Sequence, residues 1–135
     1  MEFLTWDEKW SVGISDIDAQ HRRLFELFHS LCSLLDEGRI GALGAVLDEL
    51  EQYARTHFAA EEELMRAHRY PGLDLHRQAH REFNNHVLAF KRDLSSDRSI
   101  PITTGTFLRE WLIEHVIRDD QHFARHRREL PAAKQ

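Results

Sequence analysis

Histidine and glutamate side chains recur in this sequence at the spacing that places two residues on one face of a helix. His57 and Glu61 lie four residues apart in the stretch THFAAEEELM, residues 56–65, and His76 and His80 repeat the interval. Imidazole nitrogens and carboxylate oxygens are suitable ligands for first-row divalent metals. A single pair at this spacing is most simply a surface hydrogen bond. The metal-binding interpretation therefore depends on whether several pairs meet.

Glycine and proline divide the chain into an extended leader and four stretches of helical periodicity. The breaks fall at residues 38–41, 70–72 and 95–101. Asp18 is suited to be the N-cap of the first helix, and Gly38 offers a C-terminal stop. The predicted elements are a leader over about residues 1–17 and helices over about 18–37, 40–67, 74–94 and 103–128.

Each predicted helix carries an apolar stripe with polar residues at one end. The stripes consist mainly of leucine, phenylalanine and valine at steps of three and four. The polar residues are His21 in the first helix, His57 and Glu61 in the second, His76 and His80 in the third, and His115 with Asp119 or Asp120 in the fourth. Short links favour antiparallel helices, which bring these ends to one level. We predict an all-α fold: an up-down-up-down antiparallel four-helix bundle with an extended N-terminal leader, forming one domain over residues 1–135.

Burial of these five imidazoles and two carboxylates demands compensation, because each unpaired polar group would cost several kcal/mol. The set has no thiolate, which disfavours a structural zinc site. Seven donors exceed the needs of one tetrahedral ion but suit two ions bridged by the carboxylates. A ferritin-like di-iron site would need two Glu-x-x-His motifs. One such string begins at Glu26, which lies about 140° from His21 on the helical wheel and faces away.

The composition argues against several classes of partner. The formal net charge is -5, and lysine and arginine are scattered among the acids, so we expect no nucleic-acid partner. No apolar run approaches the roughly 20 residues that span a bilayer, so we expect no membrane span. Cys32 is the only cysteine, and the first residues lack the pattern of a signal peptide. We predict a cytoplasmic location and a monomer.

The remaining histidines and tryptophans have structural interpretations. We interpret Trp6 and Trp10 as covering the bundle and Cys32 as a small buried hydrophobe. Five further histidines lie off the inward stripes, near the ends of the helices or outside these motifs. We interpret them as solvated or hydrogen-bonding residues: His29, His68, His86, His122 and His126.

Four sequence segments span residues 3–120: FLTWDEKWSVGISDIDAQHRRLF, HFAAEE, HRQAH and WLIEHVIRDD. In order and spacing, they resemble the motifs of the hemerythrin family, in particular its single-domain bacterial members, the bacteriohemerythrins. The resemblance implies two iron ions (Fe2+/Fe3+) with a bridging oxo or hydroxo group. It also implies a division of the ligands: His76, His80 and His115 on one iron, His21 and His57 on the other, with Glu61 and an aspartate bridging both.

The bridging aspartate has two candidates in neighbouring positions. At about 100° per residue, a regular helix favours Asp119, which lies about 40° from His115, over Asp120, which lies about 140° away. The family spacing favours Asp120. We predict Asp120 and hypothesise that a local π-type turn re-aims it, because such bulges are frequent at functional sites.

The resemblance also implies reversible binding of dioxygen, and hence an oxygen carrier, store or delivery protein rather than an enzyme. By analogy with the family, an apolar pocket flanks the open metal position, formed by Phe58, Trp111, Leu112 and Val116. The alternatives are a di-iron peroxidase or nitric oxide reductase, and a sensor of oxygen or redox state. A protein that accepts the oxygen or reduces the iron would be a further partner.

Overall fold

Helices account for most of the chain, and their bounds lie near the predicted ones. The computed structural model describes residues 6–95 and 102–129. Its α-helices are α1 (Ser15–Asp36), α2 (Leu43–Ala67), α3 (Leu73–Ser95), α4 (Ile102–Ile113) and α5 (Asp120–Glu129). Short 3₁₀ turns, Glu8–Trp10 and Ile40–Ala42, precede α1 and α2, and a π-helical segment, Glu114–Asp119, joins α4 to α5. The first part of the predicted leader (residues 1–5), most of the third link (96–101) and residues 130–135 lie outside the described residues.

The helices form the predicted four-helix bundle. α1 packs against α2 and α4, α2 packs against α3, and α3 packs against α4. The fourth helical rod of the bundle consists of three elements, α4, the π-helical segment and α5, which follow one another without a break. Consecutive helices joined by short turns run in opposite directions. The all-α, up-down-up-down prediction is confirmed. Within residues 6–95 and 102–129, no helix is both long and apolar enough to cross a membrane.

The first helix ends where its glycine was predicted to stop it. Gly38 has a φ of 68°, in the left-handed region where a side chain would be strained. The Gly38 N–H donates to the Leu35 carbonyl at 3.2 Å, and the Arg39 N–H donates to the Leu34 carbonyl at 2.9 Å. These bonds satisfy carbonyls at the end of α1 that have no partner within the helix.

The apolar stripes meet in a continuous core below the polar end of the bundle. Leu31, Leu43 and Leu47 are fully buried, and the phenylalanines of α1, α2 and α3 pack among them. Cys32 is also buried in this core, and burial raises the pKa of its thiol to about 11. It is therefore a packing residue rather than a reactive one.

The two leader tryptophans cover one side of this core, as the sequence predicts. The rings of Trp6 and Trp10 lie 5.7 and 5.5 Å from the Phe25 ring, both edge to face. Gln121 holds the same segment from the other side, because its amide donates to the Trp10 carbonyl at 2.7 Å. The leader is thereby fixed against both the first and the last rod.

Asp18 is not the N-cap that the sequence suggested. α1 begins three residues earlier, at Ser15, and the residue that precedes it, Ile14, makes no side-chain capping bond. The Asp18 carboxylate is buried and accepts hydrogen bonds from the Val12 N–H, at 2.9 Å, and from the Ser11 hydroxyl. Asp18 therefore ties the leader to α1 instead of terminating the helix.

We expect Asp18→Ala to destabilise the fold by about 1–3 kcal/mol, because the buried Val12 N–H and the half-buried Ser11 hydroxyl lose their acceptor. Asp16→Ala is the matched control, since Asp16 also lies in the first turn of α1 but is exposed. Asp16→Ala should lower the free energy of unfolding by well under 1 kcal/mol, because it removes only a favourable interaction with the helix dipole. Urea unfolding of both variants measures the difference, and equal losses would contradict the anchoring role.

Candidate metal centre

Seven side chains from all four rods converge at one end of the bundle. They are the seven candidate ligands: His21 from α1, His57 and Glu61 from α2, His76 and His80 from α3, His115 from the π-helical segment and Asp120 from α5. None of them is more than 4% exposed. The structure thus brings the whole predicted set into one buried cluster.

Glu61 lies between two sets of imidazoles and turns one carboxylate oxygen to each. Its Oε1 lies 3.0 Å from the Nε2 atoms of both His76 and His115 and 3.2 Å from that of His80. Its Oε2 lies 3.1 Å from His57 Nε2 and 3.3 Å from His21 Nε2. A carboxylate in this position can bridge two cations.

Asp120 repeats the arrangement from the fourth rod. Its Oδ1 lies 2.7 Å from His76 Nε2, and its Oδ2 lies 2.9 Å from His21 Nε2 and 3.3 Å from His115 Nε2. Asp120 therefore also contacts both sets of imidazoles.

The ligand atoms form two overlapping groups, in each of which all atoms lie within 4.8 Å of one another. One group is Glu61, His76, His80 and His115, and the other is His21, His57, Glu61 and Asp120. The imidazoles divide three to two, the division that the resemblance implies. No other histidine of the described residues joins either group.

The directions of the polar atoms fit cations better than they fit hydrogen bonds. His57 Nε2 and Asp120 Oδ2 are buried and close to other polar atoms, yet neither has a hydrogen-bond partner among the described residues. His80 Nε2 and His115 Nε2 face each other at 3.3 Å, where at most one can donate. Lone pairs that converge without a proton between them suit divalent ions, and nitrogen and oxygen donors suit iron among others.

Burial and neighbouring charges shift the pKa values of the cluster residues. Burial alone would lower the pKa values of His21 and His76, but the carboxylates of Asp120 and Glu61 raise both to about 10. Burial would raise the pKa of Glu61, but the surrounding imidazoles hold it well below its usual value. The pKa of His57 is lowered, chiefly by burial. Metal ions must displace protons from this cluster, so acid should weaken their binding.

Two residues outside the cluster determine which ring nitrogen points inward. His57 Nδ1 donates to Gln20 Oε1 at 2.7 Å, and His80 Nδ1 donates to Glu62 Oε2 at 2.8 Å. With Nδ1 protonated, each ring presents the lone pair of Nε2 to the cluster. Neither acceptor was predicted from the sequence. A search for amides and acids beside the predicted ligands would have found candidates, since Gln20 adjoins a ligand histidine and Glu62 adjoins Glu61.

The π-helical segment places the two aspartates, Asp119 and Asp120, in different surroundings. The Asp120 N–H donates to the His115 carbonyl, five residues back, as in a π-helix. The wider turn brings Asp120 under His115, as the π-turn hypothesis requires. Asp119 instead is half-buried and lines a surface cavity with Tyr70 and His76, and burial raises the pKa of its carboxyl.

We expect Asp120→Asn to lower the metal content of the purified protein, because the amide carries no negative charge to share between two cations. Asp119→Asn is the matched control, and it should retain the metal content of the unaltered chain. Elemental analysis after anaerobic ferrous loading and desalting measures both. The assignment is wrong if Asp119→Asn loses metal and Asp120→Asn does not.

Three of the four predicted pocket residues line a small apolar cavity of about 10 Å³. These are Phe58, Trp111 and Leu112; Val116 is fully buried but does not line it. The cavity adjoins the cluster, because the Phe58 ring stacks on His80 at 3.9 Å and lies 5.7 Å from the His57 ring.

The histidines outside the cluster make ordinary contacts. His68 Nδ1 lies 2.9 Å from the Leu64 carbonyl, and His126 Nε2 lies 3.3 Å from the carbonyl of His68. His86 stacks on Phe107 at 3.8 Å. These contacts agree with the structural interpretation of these three residues.

A four-helix bundle with two overlapping histidine–carboxylate groups at one end defines a class of metal-binding bundle proteins. Comparison with known families narrows the class, because the family described as "Hemerythrin HHE cation binding domain" matches residues 12–126. The chain belongs to the hemerythrin family, as its motifs predict.

Relatives and solved structures agree with this assignment. The chain is 35% identical over 124 residues to a bacteriohemerythrin of Stenotrophomonas maltophilia, covering 92% of this chain and 81% of that protein. It is 30% identical to a bacteriohemerythrin of Clostridium acetobutylicum, covering 87% of this chain and 96% of that one. A crystal structure of wild-type hemerythrin superposes with a TM-score of 0.83 at 22% identity, covering 92% of this chain and 97% of that one. The last comparison supports the fold.

Proposed function

We propose that this chain binds dioxygen reversibly at a di-iron centre and acts as an oxygen carrier, store or delivery protein. The observation that carries the proposal is the position of Glu61, whose two oxygens face two separate sets of imidazoles in a fully buried cluster. Membership of the hemerythrin family supports iron as the metal. When bound, the iron pair, with its bridging oxo or hydroxo group, supplies the reversible two-electron chemistry that holding dioxygen requires.

The two sides of the cluster have unequal numbers of histidines. His76, His80 and His115 offer three nitrogens to one ion, whereas His21 and His57 offer two to the other. The second side therefore has one histidine fewer and, if both carboxylates are shared, would leave a position open to a small molecule. Glu61 and Asp120 hold the two positions together by contacting both sides.

The surroundings of the cluster favour carrying over catalysis. The apolar cavity beside Phe58 is lined by leucine, phenylalanine and tryptophan side chains, without an acid or base among them, whereas Asp119, Tyr70 and His122 line a separate surface cavity at His76, on the three-histidine side. The apolar lining excludes water and offers no proton donor for cleavage of an oxygen–oxygen bond. A peroxidase would need such a donor beside the bound oxidant. The cytoplasmic location and the monomeric state expected from the sequence stay predictions.

The proposal is tested by the visible absorption of the ferrous-loaded protein. Admission of air should produce a charge-transfer band that disappears under argon and returns with air, through repeated cycles. Glu61→Gln should lose the band and part of the metal, because one shared carboxylate charge is removed. Glu63→Gln, an exposed site in the same helix, should behave as the unaltered chain. Irreversible loss of the band with consumption of peroxide and a donor would support an enzyme instead.

Leu112 is expected to keep water from the bound oxygen. Leu112→Ala should speed the decay of the air-dependent band, because the cavity would enlarge and admit water. Leu47→Ala is the matched control: Leu47 is equally buried but does not line the cavity. Both substitutions should cost about 2–5 kcal/mol of stability. Equal decay rates in the two variants would remove Leu112 from this role.

A further inference from the structure

A second cleft lies on the outside of the bundle between α2 and α3. Its volume is about 220 Å³, and three arginines, Arg55, Arg77 and Arg81, are among its lining residues. The carboxylate in its lining is Glu62, and His80 contributes to it as well. Its lining residues include three cations and one anion, while two carboxylates outside the lining, Glu51 and Asp74, lie next to Arg55 and Arg77; we call it the arginine cleft.

Much of the hydrogen-bonding capacity of these arginines is unused. Arg81 is exposed and forms no ion pair with the described residues. Arg55 directs one nitrogen to Glu51 at 2.8 Å. Arg77 donates from Nε to Glu62 at 3.2 Å, and its Nη1 lies 3.8 Å from Asp74. A guanidinium has five N–H donors, so most of the donors in the cleft remain available.

The cleft also contains a buried polar atom without a partner. Asn84 Oδ1 has no hydrogen bond to the described residues, although such atoms are normally paired. An amide can rotate to present either its oxygen or its NH₂ group. Asn84 can therefore act as a further donor toward a molecule held by the arginines.

We propose that the arginine cleft binds a small oxyanion of the phosphate class, and that Glu62 links its occupancy to His80. Guanidinium groups match the oxygen geometry of phosphate through paired N–H donors. The cleft is large enough for a phosphate that carries an organic substituent. The proposal that an anion binds is inferred from the cleft alone, whereas the proposed effect of that anion on the metal centre rests on the proposed function.

Glu62 connects the cleft to the cluster through its two oxygens. Oε1 accepts from Arg77, and Oε2 accepts from His80 Nδ1 at 2.8 Å. An anion that engages Arg77 draws the guanidinium away from Glu62. The carboxylate then interacts more strongly with the His80 ring. Since such a partner raises the basicity of a metal-ligating histidine, the anion would change the ligand strength of His80.

Calorimetric titration of the metal-free full chain with inorganic phosphate tests the binding, with ionic strength held constant by sodium chloride. We expect saturable binding that is weakened about tenfold or more in Arg81→Gln, as the loss of charge-assisted bonds implies. Arg66→Gln, which removes an exposed charge of α2 outside the cleft, should bind as the unaltered chain does. Absence of saturable binding, or equal weakening in both variants, would overturn the proposal. A second titration with adenosine monophosphate identifies the kind of phosphate ligand. Tighter binding than that of inorganic phosphate indicates a phosphate ester, and equal or weaker binding indicates free phosphate.

The link to the centre is tested on the iron-loaded protein by its absorption spectrum. Phosphate should shift the metal bands of the unaltered chain, and Glu62→Gln should abolish the shift while it retains phosphate binding. A shift that needs the same phosphate concentration in Arg81→Gln as in the unaltered chain would mean that phosphate reaches the metal directly, which refutes the link, as would no shift at all. If the chain took up no iron, the proposed function would fail, but the titration of the metal-free chain would still decide the anion site.

Discussion

The burial of two carboxylates among five imidazoles is the constraint on which the rest of the bundle depends. Glu61 and Asp120 are each 1% exposed, and an uncompensated charge at such depth would cost several kcal/mol. To compensate this charge, each helical rod must place an imidazole ring or a carboxylate at the same height along the bundle. The polar cluster therefore fixes the relative heights of the four rods, and the leucine and phenylalanine core beneath it fixes their separation.

Most of the fold could be predicted because helical periodicity is a property of neighbouring residues. A stripe that steps by three and four shows which side chains face inward, and a glycine such as Gly38 shows where a helix can stop. The error at Asp18 has a different origin. A carboxylate near a helix start suits both capping and the anchoring of a preceding segment. The choice depends on where the leader packs, which is a tertiary contact.

The candidate site was predictable to the extent that it follows from helix faces. Regular geometry would have selected Asp119, and only the spacing of the family pointed to Asp120 and to the wider turn that the structure contains. Gln20 and Glu62 were missed because each hydrogen-bonds a histidine on another helix. Their positions beside other ligands make them candidates for such a role, but do not identify the histidine that each contacts.

Four of the five histidines of the cluster are held from outside, in two different ways. His57 and His80 are oriented by hydrogen bonds to Gln20 and Glu62, whereas the Nδ1 atoms of His21 and His115 have no hydrogen-bond partner among the described residues. Indoles pack against this second pair instead: the Trp111 ring stacks on His115 at 4.6 Å, and the Trp6 ring lies 6.1 Å from that of His21. Aromatic packing fixes a ring without transmitting charge. A hydrogen-bonded carboxylate can pass a change of charge to its ring, and Glu62 forms such a link to His80 on the face of the cluster between α2 and α3.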